Sequence, residues 1–184
     1  MKALVVVDMQ NDFITGCLGT PEAEAIVPRV KEKIDNFDGL VVFTKDWHDE
    51  DKYSSSQEGR RLPVPHCIKN SNGARIDPRV YNEDNEYSSM IFNKTTFGCL
   101  EMIEPIRCGP VLTTMEVWSV EEIELIGVCT DICVISNAFL LKANFPEARI
   151  VIDASCCAGV TPESHKTALA AMKACQMDII GEEI

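Results

Sequence analysis

Positive charge is scarce in this chain. Seventeen Lys and Arg stand against 29 Asp and Glu, a formal net charge of −12. Nucleic acid and anionic membrane are therefore disfavoured as partners, since both call for a basic surface. Long apolar runs are missing as well. Ala3-Leu4-Val5-Val6-Val7 stops at Asp8, far short of a signal segment or a bilayer crossing. No two cysteines form a CxxC pair, which argues against a zinc ribbon. Internal repeats, low-complexity tracts and long linkers are also absent. Histidine is rare: of the three present, two fall in one loop.

What remains suits an ordinary globular protein. The chain is 46% hydrophobic and 25% charged, and 184 residues suffice for one full core, so the expectation is a single domain over residues 1–184. Nine cysteines, an odd number without a secretory leader, read as mostly reduced thiols of a cytoplasmic protein. Cys156-Cys157 reads as two buried thiols rather than a vicinal disulfide.

Short apolar runs alternate with helical patterns. Lys2–Val7, Leu40–Phe43, Met90–Phe92, Glu122–Ile126, Arg149–Ile152 and Met177–Ile180 read as strands. Thr20-Pro21-Glu22 and Thr161-Pro162-Glu163 each open a helix, with Thr as cap, Pro in the first turn and then an acid. Phe97–Ile106 reads as a short helix and Ile132–Asn144 as a longer one. Residues 46–86 read as irregular, and so long a polar segment is usually functional or mobile. The alternation predicts the α/β class, a mostly parallel sheet covered on both faces. Ligands of such sheets bind beyond the carboxyl ends of the strands. Asp8, Asp46, Lys94 and the turn before Cys133 all fall there.

The chain is organised around Ile126–Asn137. Thr130 or Asp131 is positioned to cap the helix that follows. Cys133 then lies in its first turn, where free N–H groups and the helix dipole favour the thiolate. An isolated cysteine is more often an inert core residue, so its neighbours decide. Asp8 is either a strand-end cap or a partly desolvated base with a cationic partner. Lys94 is either a surface lysine or the cation for Asp8 and Cys133. Asp46 and His48, two apart in extended backbone, point the same way. With His66 they suit zinc, iron or manganese with positions left open, and Glu58 is a possible further ligand. His165, in the first turn of the last helix, reads as structural or surface.

Five motifs occur in order: Asp8-Met9-Gln10-Asn11-Asp12-Phe13, Asp46-Trp47-His48, His66-Cys67, Lys94-Thr95-Thr96-Phe97-Gly98 and Gly127-Val128-Cys129-Thr130-Asp131-Ile132-Cys133. Together they resemble the isochorismatase-like cysteine hydrolases, and within them the nicotinamidase branch. The resemblance implies a three-layer α/β/α sandwich with a six-stranded, mainly parallel sheet. It implies a triad of Asp8, Lys94 and Cys133 that hydrolyses an amide through a thioester. It implies an oxyanion hole from the backbone N–H groups of Cys129 and Cys133, beside a cis Val128–Cys129 peptide. Phe13, Val128 and Cys129 would line the substrate pocket. Asp46, His48 and His66 would hold a divalent metal, zinc first. Family members often form homo-oligomers. This chain has Pro63 where well-matched nicotinamidases carry a stacking aromatic residue. Nicotinamide is the first expected substrate, and another amide such as a carbamoyl or ureido compound the second. A metal or thiol sensor without turnover is the reading from another class. A sensor has no need of the paired base.

Overall fold

The computed structural model describes residues 1–82, 90–109 and 119–182. Residues 83–86 of the expected irregular segment lie outside the described residues. The strands are β1 (Lys2–Val7), β2 (Leu40–Asp46), β3 (Met90–Lys94), β4 (Glu122–Val128), β5 (Arg149–Ala158) and β6 (Asp178–Ile180). All neighbouring pairs are parallel, in the order β3-β2-β1-β4-β5-β6. The chain winds outward from β1 to β3, then restarts at β4 on the other side. The direction reverses between β1 and β4, which is where an open α/β sheet leaves a crevice for ligands.

Parallel strands need both faces covered, and the buried residues divide accordingly. On β1, Ala3, Val5 and Val7 face one core, with Ile106, Leu141 and Met172. Leu4 and Val6 face the other, with Ile26, Val30 and Phe43. The first layer is built from α5 (Ile103–Cys108), α6 (Ile135–Asn144) and α7 (Pro162–Ala174). The second contains α2 (Pro21–Asp35), preceded by the single turn α1 (Asn11–Ile14). Each such aliphatic side chain contributes about 1.5–3 kcal/mol when fully buried. Thr20 and Thr161 cap α2 and α7 as their sequences require, accepting from Ala23 N at 3.0 Å and Ser164 N at 3.1 Å. No helix among the described residues is long and apolar enough to cross a membrane.

Several elements differ from the sequence reading. β5 runs on to Ala158, because β4 pairs with Cys157 and Ala158 although Asp153–Cys157 is not an apolar run. The helix expected at Phe97–Ile106 begins only at Ile103. Segment 46–86 contains two short helices, α3 (Glu50–Tyr53) and α4 (Gln57–Arg61). Neither is long enough to show a helical period. The cap before Cys133 also differs. Cys129 occupies that position without a side-chain bond, and Thr130–Val134 forms a π-turn closed by Val134 N to Cys129 O at 3.0 Å. Thr130 and Asp131 are engaged elsewhere. Thr130 Oγ1 pairs with His165 Nδ1 at 2.8 Å, and Asp131 accepts from Val160 N at 3.0 Å.

Candidate active site

Four strand ends meet in one crevice. Val7 lies level with Thr44 and Gly127, and Asp46 with Lys94. Asp8, the residue after β1, is fully buried in a left-handed conformation, φ 50°. Its Oδ1 accepts from Thr44 Oγ1 at 2.7 Å, and its Oδ2 lies 2.7 Å from Lys94 Nζ. Lys94 Nζ also reaches Cys133 Sγ at 3.5 Å and Asp46 Oδ1 at 3.6 Å. One ammonium thus touches the carboxylate and the sulfur together. Asp8 Oδ2 has no hydrogen bond of good geometry, which leaves it as the oxygen open to a proton.

Electrostatics corrects one expectation. Burial pushes the Cys133 thiol well above its ordinary value, and the Asp8 carboxylate pushes it further; Lys94 opposes both without reversing them. Cys133 therefore rests as a neutral thiol, not as the thiolate expected from a helix N-terminus. Burial likewise raises the Asp8 pKa, against the pull of Lys94. Burial disfavours the Lys94 charge, but the Asp8 and Asp46 carboxylates outweigh it and hold the ammonium. The resting site is an ion pair beside a thiol, with a carboxylate made more basic than usual.

Beside this group stands a second cluster. Ligand atoms of Asp46, His48, Glu58 and His66 lie within 4.8 Å of one another, the one such metal-type group among the described residues. Asp46 Oδ2 is 2.9 Å from His48 Nε2 and 3.3 Å from His66 Nε2. Glu58 reaches the same two nitrogens at 3.8 Å and 3.6 Å. A tetrahedral zinc with its usual bond lengths spaces its ligands about 3.3 Å apart, so these donors fit one ion. His66 Nδ1 lies 2.9 Å from Val64 O, and a carbonyl only accepts; Nδ1 therefore carries the proton and Nε2 offers its lone pair. Asp46 joins the two clusters, one oxygen toward Lys94 and the other toward the imidazoles.

Residues not singled out in the sequence hold this frame. Gln10, fully buried, clamps the Asp46 backbone, accepting from Asp46 N at 2.7 Å and donating to Asp46 O at 2.8 Å. Asp12 accepts from Cys67 N at 2.7 Å, next to His66. Asn137 donates to Cys133 O at 2.8 Å and Phe97 O at 3.2 Å, and accepts from Cys99 N at 2.8 Å. It ties the turn that carries Cys133 to the loop after Lys94. Gln10 and Asp12 could have been found, since both lie inside the first motif. Asn137 carried a fainter signal, a polar residue one turn after Cys133 in an apolar helix.

Cys133 and His66 open onto a cavity of about 360 Å³. Phe13, Val128 and Cys129 line it as expected, along with Ile132, Leu62 and Phe97. Pro63 is exposed and off its wall, and Leu62 takes that side. The Val128–Cys129 peptide is cis. His165 is not among the residues lining the cavity and pairs with Thr130 of the π-turn. All nine cysteines are free thiols, Cys156 and Cys157 among the buried ones.

Comparison with known proteins agrees with this geometry. A family model for the isochorismatase domain matches residues 2–183. The nicotinamidase/pyrazinamidase of Mycobacterium tuberculosis is 29% identical over 192 residues, covering 98% of each chain. An isochorismatase family protein of Bacillus subtilis is 32% identical over 180 residues, covering 91% of this chain and 92% of its own. The pyrazinamidase of Pyrococcus horikoshii, solved in complex with zinc, matches with a TM-score of 0.78 at 28% identity, over 97% of this chain and 98% of that one.

Proposed function

Because the chain belongs to the isochorismatase family and is a nicotinamidase-like hydrolase of amide carbon–nitrogen bonds, we propose that Cys133, Asp8 and Lys94 are its catalytic residues. The observation that carries this reading is Lys94 Nζ, 2.7 Å from Asp8 Oδ2 and 3.5 Å from Cys133 Sγ, which lines the cavity. Cys133 attacks the amide carbon while its proton passes to Asp8 Oδ2. The raised pKa of Asp8 makes that transfer less uphill. The N–H groups of Cys129 and Cys133 hold the oxyanion. Ammonia leaves with the proton from Asp8, giving a thioester. Asp8 then takes a proton from water, which attacks the thioester and frees the acid and the thiol. Lys94 keeps its charge throughout and balances whichever neighbour is anionic.

Asp46, His48 and His66, with Glu58 as a fourth donor, would hold a divalent ion, zinc first. When bound, such an ion supplies a Lewis acid beside the substrate. The substrate class is a small heteroaromatic amide, nicotinamide first, lying between Phe13 and Ile132. A carbamoyl or ureido amide is the second reading, favoured by Pro63, off the cavity wall, where well-matched nicotinamidases carry a stacking aromatic residue. The reading further carries a cytoplasmic, single-domain protein that assembles with its own copies, which light scattering tests.

The decisive assay is ammonia release from nicotinamide with and without a chelator. Cys133→Ala is expected to lose at least about 10⁴-fold in kcat. Chelator is expected to remove about one metal per chain together with most turnover. No ammonia from any heteroaromatic, carbamoyl or ureido amide would end the proposal.

A further inference from the structure

Arg61 is the one Lys or Arg among the residues lining the catalytic cavity. It is also uncommitted. Nearby Arg60 donates to Ser55 O at 2.8 Å, and Lys52 and Lys69 face Asp49 at 3.9 Å and 3.7 Å. Arg61 makes no hydrogen bond or ion pair with any described residue. Its backbone is nonetheless held. Ser56 caps α4 by accepting from Gly59 N at 2.9 Å, and Tyr53 Oη donates to Leu62 O at 2.8 Å. Residues three apart share a helix face. Glu58 turns toward the metal cluster, so Arg61 projects to the same side. Glu58, Arg61 and Phe97 also line the adjoining outer groove, which puts Arg61 at the cavity mouth.

The charge balance is uneven at that mouth. Asp8 and Lys94 cancel, and a divalent ion would cancel Asp46 and Glu58. Among the described residues the guanidinium of Arg61 remains unanswered, on a chain whose net charge of −12 repels anions. Arg61 lines the same cavity as Cys133, Phe13 and Ile132, so an amide held at Cys133 shares its cavity with this guanidinium.

We propose that, beside neutral heteroaromatic amides, the site takes amides whose far end carries a carboxylate, and that Arg61 makes these bind more tightly. A planar guanidinium pairs with a carboxylate through two parallel hydrogen bonds, which a neutral substituent does not reproduce. The inference rests on the amidase reading for its scissile group but not for its anion preference. Two sources share this chemistry: a heteroaromatic carboxamide with an acid group on the ring, and an N-carbamoyl amino acid.

Binding is measured by calorimetry in Cys133→Ser, so that no turnover intervenes. The ligands are nicotinamide, a pyridine carboxamide bearing a ring carboxylate, its methyl ester, and N-carbamoylglycine. The carboxylate form is expected to bind on the order of 10-fold or more tighter than its ester, the usual worth of a hydrogen bond to a charged group. Arg61→Met should abolish that ratio, Arg61→Lys keep part of it, and added salt narrow it. The tighter of the two anions identifies the source. An equal ratio in Arg61→Met and the parent overturns the proposal, even if nicotinamide releases ammonia. An intact ratio in a protein that releases no ammonia from any of the four supports Arg61 as the anion reader and overturns the amidase reading instead.

Discussion

Asp8 shows how one residue's chemistry is set by the elements around it. Alone in water its carboxyl would titrate near 3.8; here burial raises it and Lys94 holds it back. In the proposed mechanism its basic form is the working one. The acid limb of kcat/KM is therefore expected above pH 3.8, falling as Asp8 is protonated, and a limb at or below that value would contradict Asp8 as the base. Part of this was legible in the sequence. Asp8, Lys94 and Asp46 stand at strand ends, and strand ends of a parallel sheet converge. The protonation state of Cys133 was not legible. A helix N-terminus favours the thiolate, but burial and an anionic neighbour, both products of folding, prevail.

The elements are locked to each other at a few crowded points. Gly127, at φ +118°, lies against β1, and a Cβ there would sit 2.1 Å from Val7 O. No flexible side chain can yield at that contact. Gly127→Ala is expected to lose at least about 2 kcal/mol by denaturant titration, and the β1–β4 crevice with it. Near wild-type stability would mean the crossing is looser than described. Asn137 joins the Cys133 turn to the Phe97–Cys99 loop through three hydrogen bonds. Asn137→Ala leaves buried partners unsatisfied and should cost about 1–3 kcal/mol. It should also lower kcat more than it raises KM, because the proposed nucleophile, Cys133, shifts while the apolar walls stay. The reverse pattern would make Asn137 a wall support only. The partners of Asn137 were not readable beforehand, since Asn137 and Cys99 are 38 residues apart in sequence.

For the whole molecule, the thiols govern behaviour at alkaline pH. Burial raises Cys99 and Cys156 to about 11 and Cys129 to about 12, and drives Cys67, Cys133 and Cys157 upward too. The unfolded thiol ionises near 9.0. Between 9.0 and these raised values the folded chain holds protons that the unfolded chain has released. Stability from these groups is complete below pH 9 and is lost as pH rises. The denaturation midpoint is expected to fall steadily from pH 9 upward, under reducing conditions, and less steeply in Cys133→Ala. A midpoint flat to pH 10.5 would refute it.

The sequence by itself determined the α/β class, the strands β1 to β4 to within a few residues, and which chemical groups lie at their ends. Those follow from local patterning, which needs no knowledge of neighbours. It also carried the metal-type set, since Asp46, His48, Glu58 and His66 fall within one short stretch of chain. The tertiary structure alone decided the rest. It placed Lys94 between carboxylate and sulfur, bent Thr130–Val134 into a π-turn, brought Leu62 and Phe97 onto the cavity wall and left Arg61 at its mouth without a partner among the described residues. Each depends on distances between chain segments far apart in sequence. Desolvation, which sets the charge of Cys133, exists only once those segments have closed around it.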